Sequence, residues 1–440
     1  MMRLAVIFES SPFDRKGLFN AVHNRVKHLL ATGECTIDVF CVHSRDNAFT
    51  RRIRHTPNVP FVDEAVVDDI RYRLLWYRFS ILDNVLLEKL HVRPWLFRRF
   101  MESHVDMLKG YDAVIAHSFC GGLFALAAHQ RFGVPYYVTW HGSDVHTHPW
   151  RVSVILEDTR AIMESARFNF FVSRVLLDAS ERIISAKDVL SVSSGVSPVR
   201  KEVLYNGVSE DFVKYSPEGR AAVRERYGLA HEDKVVAFVG NLVTVKNVLS
   251  LPDIFAPVAS RFAEVIGSLS DSCGRSGRLK FWIVGDGKLR TQLETACSER
   301  LIRHCEERSD VAIRFFGNQP SPAMPDIMNC IDVLVLPSLN EGLPLVCAEA
   351  LSCGAAVVGS DVGGIAEVIG SDNVVPLVAP YDNDASQGVP SGRPYDDAFV
   401  NGMAEKVVAA LVGQSPSQTL PSDISWTRTA ALELSILKSL

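Results

Sequence analysis

Two carboxylates eight positions apart, Glu341 and Glu349, stand in the run Pro337-Ser338-Leu339-Asn340-Glu341-Gly342-Leu343-Pro344-Leu345-Val346-Cys347-Ala348-Glu349, which closes on Gly354. An apolar stretch at 331–336 precedes it and reads as a strand. Pro344 suits the first position of a helix and Gly354 suits its stop. A helix framed in this way opens just past Glu341-Gly342. Its free amides at Gly342, Leu343, Leu345 and Val346 would offer an anion such as a diphosphate oriented donors and the positive end of the helix dipole. Glu341 lies ahead of the helix and Glu349 about a turn and a half inside it, so the two need not share a task. One can reach a reacting group, the other a diol. A bare pair of glutamates at this spacing is most often solvated. The ordered context of strand, Pro-Ser, Glu-Gly-Leu-Pro, Glu and Gly turns that reading round.

Other residues with chemical capacity also follow apolar runs. Lys246, in Val235-Val-Ala-Phe-Val-Gly240-Asn241-Leu-Val-Thr-Val-Lys246-Asn247, brings a point charge to a loop after a strand. Stabilising charge that develops on a leaving group is usually the largest catalytic contribution. Asn241 can donate a hydrogen bond but has neither the charge nor the bidentate fork of arginine. His141, in His141-Gly142-Ser143-Asp144, would in isolation be a satisfied core histidine. The Gly142-Ser143-Asp144 that follows favours a site role. Gly17 after the first strand would let the backbone approach a ligand, or is a plain loop glycine. Ser173 is an acceptor contact or a helix N-cap. His117-Ser118, also at a strand end, and the turn Gly285-Asp286-Gly287 are weaker signals. No Asp-x-Asp metal motif follows a strand, and no metal is expected.

The elements that must position these residues are short β-branched runs alternating with longer amphipathic stretches, the pattern of βαβ units and a parallel sheet. A first series of strands is expected at 4–8, 37–42, 113–116, 136–139, 168–172 and 189–192, and a second at 235–239, 279–284, 313–316, 333–336, 356–358 and 374–377. The turn Asn206-Gly207-Val208 separates them. The expectation is an α/β chain of two Rossmann-like, doubly wound domains, 1–207 and 208–424, facing a cleft, with a last helix over 425–440 returning to the first domain. Ligands in such sheets sit at the carboxyl ends of the strands, where every one of these motifs falls. A Pro/Gly/Ser/Asp-rich stretch at 380–394 reads as a surface loop.

The segment 337–354 resembles the E-x(7)-E signature of the family 4 retaining glycosyltransferases, which have the GT-B fold. Gly240 to Asn247 is similar to that family's Gly-Arg-x(4)-Lys-Gly phosphate loop, with Asn241 and Asn247 in place of its Arg and second Gly. Val284 to Gly287, Phe316-Gly317-Asn318, Val362-Gly363-Gly364-Ile365-Ala366-Glu367, His141 to Asp144 and Asn206 to Val208 resemble further family turns. A looser likeness, carried by Gly17-Leu18-Phe19 and the variant phosphate loop, is to teichuronic-acid and capsular-polysaccharide enzymes. The resemblance implies a retaining, metal-independent hexosyltransferase. A nucleotide-sugar donor (a UDP-sugar expected) would be bound by residues 208–424, and a glycan or lipid-linked acceptor by 1–207. It puts Lys246, Asn241 and the 342–346 amides at the diphosphate, Glu349 at the ribose and Asn318 near the base. Glu341 and His141 go to the transferred sugar, and Gly17, Asp144 and Ser173 to the first domain's loops. Arg290 or Arg15 could replace the missing arginine. The rival readings are a non-catalytic scaffold subunit of a polysaccharide assembly complex, motivated by Asn241, and a nucleotide-sugar epimerase or inverting transferase.

Composition narrows the setting. The 440 residues suit two domains, and a formal net charge of -5 excludes the basic surface a general nucleic-acid binder needs. Nine cysteines without a C-x-x-C pair fit reduced core thiols and a cytoplasmic protein. No apolar stretch is long enough to span a bilayer. Between 71 and 104, seven Arg and Lys stand against three Asp and Glu, interleaved with Trp, Tyr and Phe. Two readings stand there: a peripheral contact with anionic lipid head groups, or a helical excursion whose aromatics pack inward while its arginines reach water.

Overall fold

The run Leu4–Phe8 is fully buried, as expected of a central strand covered on both faces. It forms the heart of β1 (Met2–Glu9) in a computed structural model that describes residues 1–13, 17–45, 59–78, 80–186, 198–269, 278–306, 311–377 and 393–439. The chain divides into two units. The first is built on residues 1–207 and 425–440, the second on the described parts of 208–424.

In the first unit β1 is followed by β2 (Cys35–Ser44), β3 (Glu64–Val67), β4 (Ile70–Tyr77), β5 (Ala113–His117), β6 (Tyr136–Trp140), β7 (Phe168–Phe171) and β8 (Lys201–Val203). They form one sheet in the order β3-β4-β2-β1-β5-β6-β7-β8, parallel except for the β3–β4 hairpin. The chain runs outward from β1 through β2 to β4, then restarts on the other side with β5, so the topological switch point lies between β1 and β5. The last helix, Trp426–Ser439, belongs to this unit and packs on helix Gly17–Ala31. Arg25 Nε donates to Glu433 Oε2 at 2.5 Å, with both side chains buried. Gly207 is required where the helix starts, because a Cβ there would sit on the Trp426 backbone nitrogen.

The second unit carries β9 (Lys234–Val239), β10 (Leu279–Val284), β11 (Val311–Gly317), β12 (Val333–Leu336), β13 (Ala356–Ser360) and β14 (Val374–Val375). Its sheet is wholly parallel in the order β11-β10-β9-β12-β13-β14. The switch point lies between β9 and β12.

Three strands were not anticipated from the sequence. In β4, Ile70, Tyr72 and Leu74 are buried while Arg71 and Arg73 are exposed, the alternation of a half-covered strand. Its arginines and aromatics had suggested a helical or interfacial stretch instead. β3 pairs antiparallel at the edge, and β8 is only three residues long. The expected strand at 189–192, most of the loop at 380–394, and Arg15 lie outside the described residues. The seven described cysteines are free and buried. Among the described residues no helix is long and apolar enough to cross a membrane.

Candidate active site

At the switch point of the second unit, the loops after β9 and β12 bring a cation and a carboxylate together. Lys246 Nζ lies 2.6 Å from Glu341 Oε1, with the lysine side chain 23% and the glutamate 10% exposed. Lys246 ends a short 3-10 turn, Thr244–Lys246, and Asn247 follows in a left-handed conformation at φ 50°. That backbone explains why the related loop carries glycine there, and why asparagine, which tolerates this region best among side-chain-bearing residues, can replace it. The two loops are joined where Leu339 N–H donates to the Val245 carbonyl at 2.8 Å.

Glu341 is held from three sides. Ser338, fully buried, donates its hydroxyl to the same Oε1 at 2.6 Å. The Ser360 hydroxyl in turn donates to the Ser338 carbonyl. The Gly363-Gly364 turn after β13 presses on the Glu341-Gly342 backbone. Gly364 N–H donates to the Gly342 carbonyl at 3.0 Å, and Gly363 at φ 52° has no room for a Cβ, which would sit on the Glu341 carbonyl. Oε2 of Glu341 takes no hydrogen bond among the described residues.

The helix behind this loop spans Leu345–Ser352, so Pro344 is its N-cap and not its first residue. No side chain caps it, and the amides of Leu343, Leu345 and Val346 have no internal acceptor among the described residues. This is an open anion site beside a lysine. Glu349, on the same helix, has its carboxyl pushed up to about 7 by burial, because a carboxylate with little water around it is penalised.

The loops after β9 and β10 interlock through glycines. A Cβ on Gly285 would meet the Gly240 carbonyl, and one on Gly287 the Leu242 carbonyl, so this Gly-x-Gly turn serves packing. Asn241 and Asn318 sit exposed on the loops after β9 and β11, with no side-chain hydrogen bond among the described residues. Arg290 is near Gly317, but its charge is already shared between Asp286 at 3.1 Å and Glu294 at 2.8 Å. It is a poor replacement for the arginine that Asn241 displaces.

In the first unit the carboxyl ends of β1, β5 and β6 carry Glu9, His117 and His141. His117 Nδ1 and His141 Nε2 are 3.0 Å apart, so one ring donates to the other. Burial, with the positive charge of Arg25 adding to it, lowers His141 to about 3 and His117 well below its ordinary value. Both rings are therefore neutral at physiological pH. Asp144 accepts from the His141 amide at 3.1 Å and the Gly142 amide at 2.7 Å, fixing the turn that aims the histidine. Burial raises its carboxyl while those amide bonds oppose the rise. Gly17 opens helix Gly17–Ala31, and nothing within 4 Å demands a glycine there. Ser173 is buried and accepts from the Leu176 amide at 3.3 Å, so its hydroxyl is committed to capping helix Arg174–Ser185.

The structure thus brings Lys246 and Glu341 together, with the amides of Leu343, Leu345 and Val346 and with Glu349 on the adjoining helix, and separately His117, His141 and Asp144. Sequence reading had not singled out Ser338, Gly363 or Arg25. Ser338 and Gly363 were visible only as parts of motifs, and nothing in the sequence marks Arg25. Among the described residues no group of three or more His, Cys, Asp or Glu is arranged to hold a metal ion.

Comparison with known proteins identifies the family. Residues 17–192 match the glycosyl transferase 4-like domain family, and residues 233–387 the family described as glycosyl transferases group 1. The chain belongs to the family 4 glycosyltransferases. The D-inositol 3-phosphate glycosyltransferase of Kribbella flavida is 27% identical over 274 residues, 61% of this chain and 59% of its own length. TuaC of Bacillus subtilis, named for teichuronic acid biosynthesis, is 26% identical over 260 residues, 59% of this chain and 55% of its own. These two alignments span less than two thirds of either relative. Among solved structures, HepE of Anabaena in complex with UDP and glucose superposes with a TM-score of 0.59 at 15% identity over the whole of both chains. The likeness is one of fold, and the fold of this glycosyltransferase is GT-B.

Proposed function

We propose that this glycosyltransferase moves a sugar from a nucleoside diphosphate, UDP by preference, to a glycan or lipid-linked acceptor with retention of anomeric configuration and without a metal. The observation that carries the reading is the Lys246–Glu341 pair beside an uncapped helix N-terminus at the switch point of the second sheet. In the free protein Glu341 keeps the ammonium ordered. With donor bound, Lys246 and the amides of Leu343, Leu345 and Val346 would meet the charge that builds on the leaving diphosphate. Glu349 would accept from the ribose diol, Asn318 would lie near the base, and Asn241 would add one uncharged donor. Oε2 of Glu341 is available to a sugar hydroxyl. In the transfer, the bond from the sugar's anomeric carbon to the phosphate oxygen breaks and the acceptor oxygen bonds to the same face. The acceptor's proton passes to the leaving phosphate. Retention is what the resemblance to the family 4 enzymes implies.

A role in cell-surface polysaccharide synthesis is supported by the name of the Bacillus relative. The peripheral membrane contact rests on exposed apolar residues at 81–104, chiefly Leu82, Leu90 and Trp95. It does not rest on the local charge, because the fold supplies acidic partners. Arg71 faces Glu64, Arg73 faces Asp38, and Arg93 faces Glu157 and Asp158. On this reading the enzyme works at the cytoplasmic face of a membrane.

Thermal unfolding with UDP, GDP, ADP and TDP tests the donor site. A ligand at a hundredfold excess over Kd stabilises the folded protein by about 2.7 kcal/mol. UDP should raise the melting temperature, and Lys246→Ala should abolish the rise. If no nucleotide moves the melt, the scaffold reading replaces this one.

A further inference from the structure

The first unit carries a half-open cavity of about 700 Å³ that no residue of the donor chemistry uses. It lies between helices Ile81–Leu90, Trp95–His104, Ser118–Phe132 and Ser153–Ser165. Apolar side chains, among them Leu87, Phe97, Leu123 and Ile155, make the larger part of its wall, and the carboxylates of Glu88 and Asp158 line it as well. One end reaches Glu9, the last residue of β1, which accepts from the Tyr77 hydroxyl at 2.6 Å. Phe119 is two residues past His117. The cavity therefore begins at the same carboxyl edge of the sheet that carries the histidines and runs away from it between the helices. Helix Trp95–His104 buries none of its residues, and its exposed Trp95 and Leu96, with Leu82 and Leu90 on the neighbouring helix, continue the apolar surface outward. Arg151 stands at the lining with no carboxylate partner among the described residues.

We propose that this cavity holds the aliphatic chain of the acceptor, a lipid whose head carries a phosphate. The proposal rests on the transferase reading and gives it an acceptor class. The size falls within that of ordinary ligand pockets, and the larger part of the lining is apolar. The head lies at the carboxyl edge, where a hydroxyl can be glycosylated, while the chain is withdrawn from water. Arg151 supplies the charge that a phosphate seeks. A purely polar glycan would leave the apolar walls unfilled.

The test is calorimetric titration of the full chain with hexyl, octyl, decyl and dodecyl phosphate, each below its micellar concentration, and with inorganic phosphate. Each methylene withdrawn from water is worth about fourfold in affinity. Affinity should rise by about that factor per methylene until the cavity is full. Leu123→Trp and Ala161→Phe, which fill the space, should flatten that dependence and weaken dodecyl phosphate at least thirtyfold while leaving UDP affinity unchanged. Arg151→Glu, a surface change, should weaken every alkyl phosphate several-fold without altering the dependence on chain length. Affinity independent of chain length, or filled variants that bind as the parent does, overturns the proposal. Equal binding of inorganic phosphate reduces the site to an anion contact and overturns it too. If UDP fails to bind while the chain-length dependence holds, the cavity assignment stands and the transferase reading fails.

Discussion

The buried pair Arg25–Glu433 offers a prediction whose size follows from the structure. The two side chains are 1% and 0% exposed and share one hydrogen bond, while Nη1 and Nη2 of Arg25 and Oε1 of Glu433 are buried without a partner. Breaking a buried pair by removing one member typically costs about 3–5 kcal/mol, whereas replacing both with apolar groups is often neutral or better. The two single changes should differ, because arginine cannot give up its proton and glutamate can take one. Glu433→Leu leaves a trapped cation, and its deficit should be about 3–5 kcal/mol and independent of pH. For a unit of this size that lowers the melting temperature by roughly 6–20 °C. Arg25→Met leaves a carboxyl that can protonate, so the electrostatic part of its deficit is capped near 3.7 kcal/mol at pH 7. In that variant the folded carboxyl titrates above its unfolded value, so the folded state binds more protons and stability rises as pH falls. The deficit should shrink by about 1.4 kcal/mol per pH unit down to about pH 4.3. Arg25→Met/Glu433→Leu should recover most of the parent's stability. Scanning calorimetry of the full chain at pH 5, 6 and 7, with hydrogen exchange of peptides from 17–31 and 426–439 to assign the transition, reads all of this. A Glu433→Leu deficit under about 1 kcal/mol would refute the reasoning. So would identical pH dependence for the two single variants, or a double variant no better than either.

Two further changes test the second unit. Glu349→Gln removes a carboxyl that the fold holds near pKa 7. The charge it removes is unfavourable above about pH 7 and protonates away as pH falls toward its unfolded value, so the variant should be more stable than the parent at pH 8, by on the order of 1–3 kcal/mol, with the gain lost by about pH 4.5. UDP should bind it more weakly, and unchanged UDP affinity would remove Glu349 from the donor site. Gly363→Ala puts a Cβ on the Glu341 carbonyl at a left-handed φ. The backbone alone costs about 1–2 kcal/mol, and displacing Glu341 should lower kcat more than it raises KM for the donor. A KM effect alone would show that Glu341 only binds.

What this sequence determines by itself is local. The β-branched runs of β1, β9, β10 and β12 are long enough and apolar enough to be central parallel strands wherever they fall. The glycines at 240, 285, 287 and 363 sit where backbones crowd or turn left-handed, and Glu341, Lys246 and His141 fall just past strand ends. Position at a strand end is legible because strand and turn chemistry act over a few residues. Tertiary structure decided which distant residues meet. It set Lys246 against Glu341 across 95 positions, because β9 and β12 are neighbours at a switch point that no local pattern encodes. It paired Arg25 with Glu433 across 408 positions, and spent Arg71, Arg73 and Arg93 on Glu64, Asp38, Glu157 and Asp158. A charge count over a window could not see those partners. Protonation was decided in the same way: His117, His141 and Glu349 are ordinary residues in sequence, and only burial by side chains from far along the chain removes the water that would keep them charged.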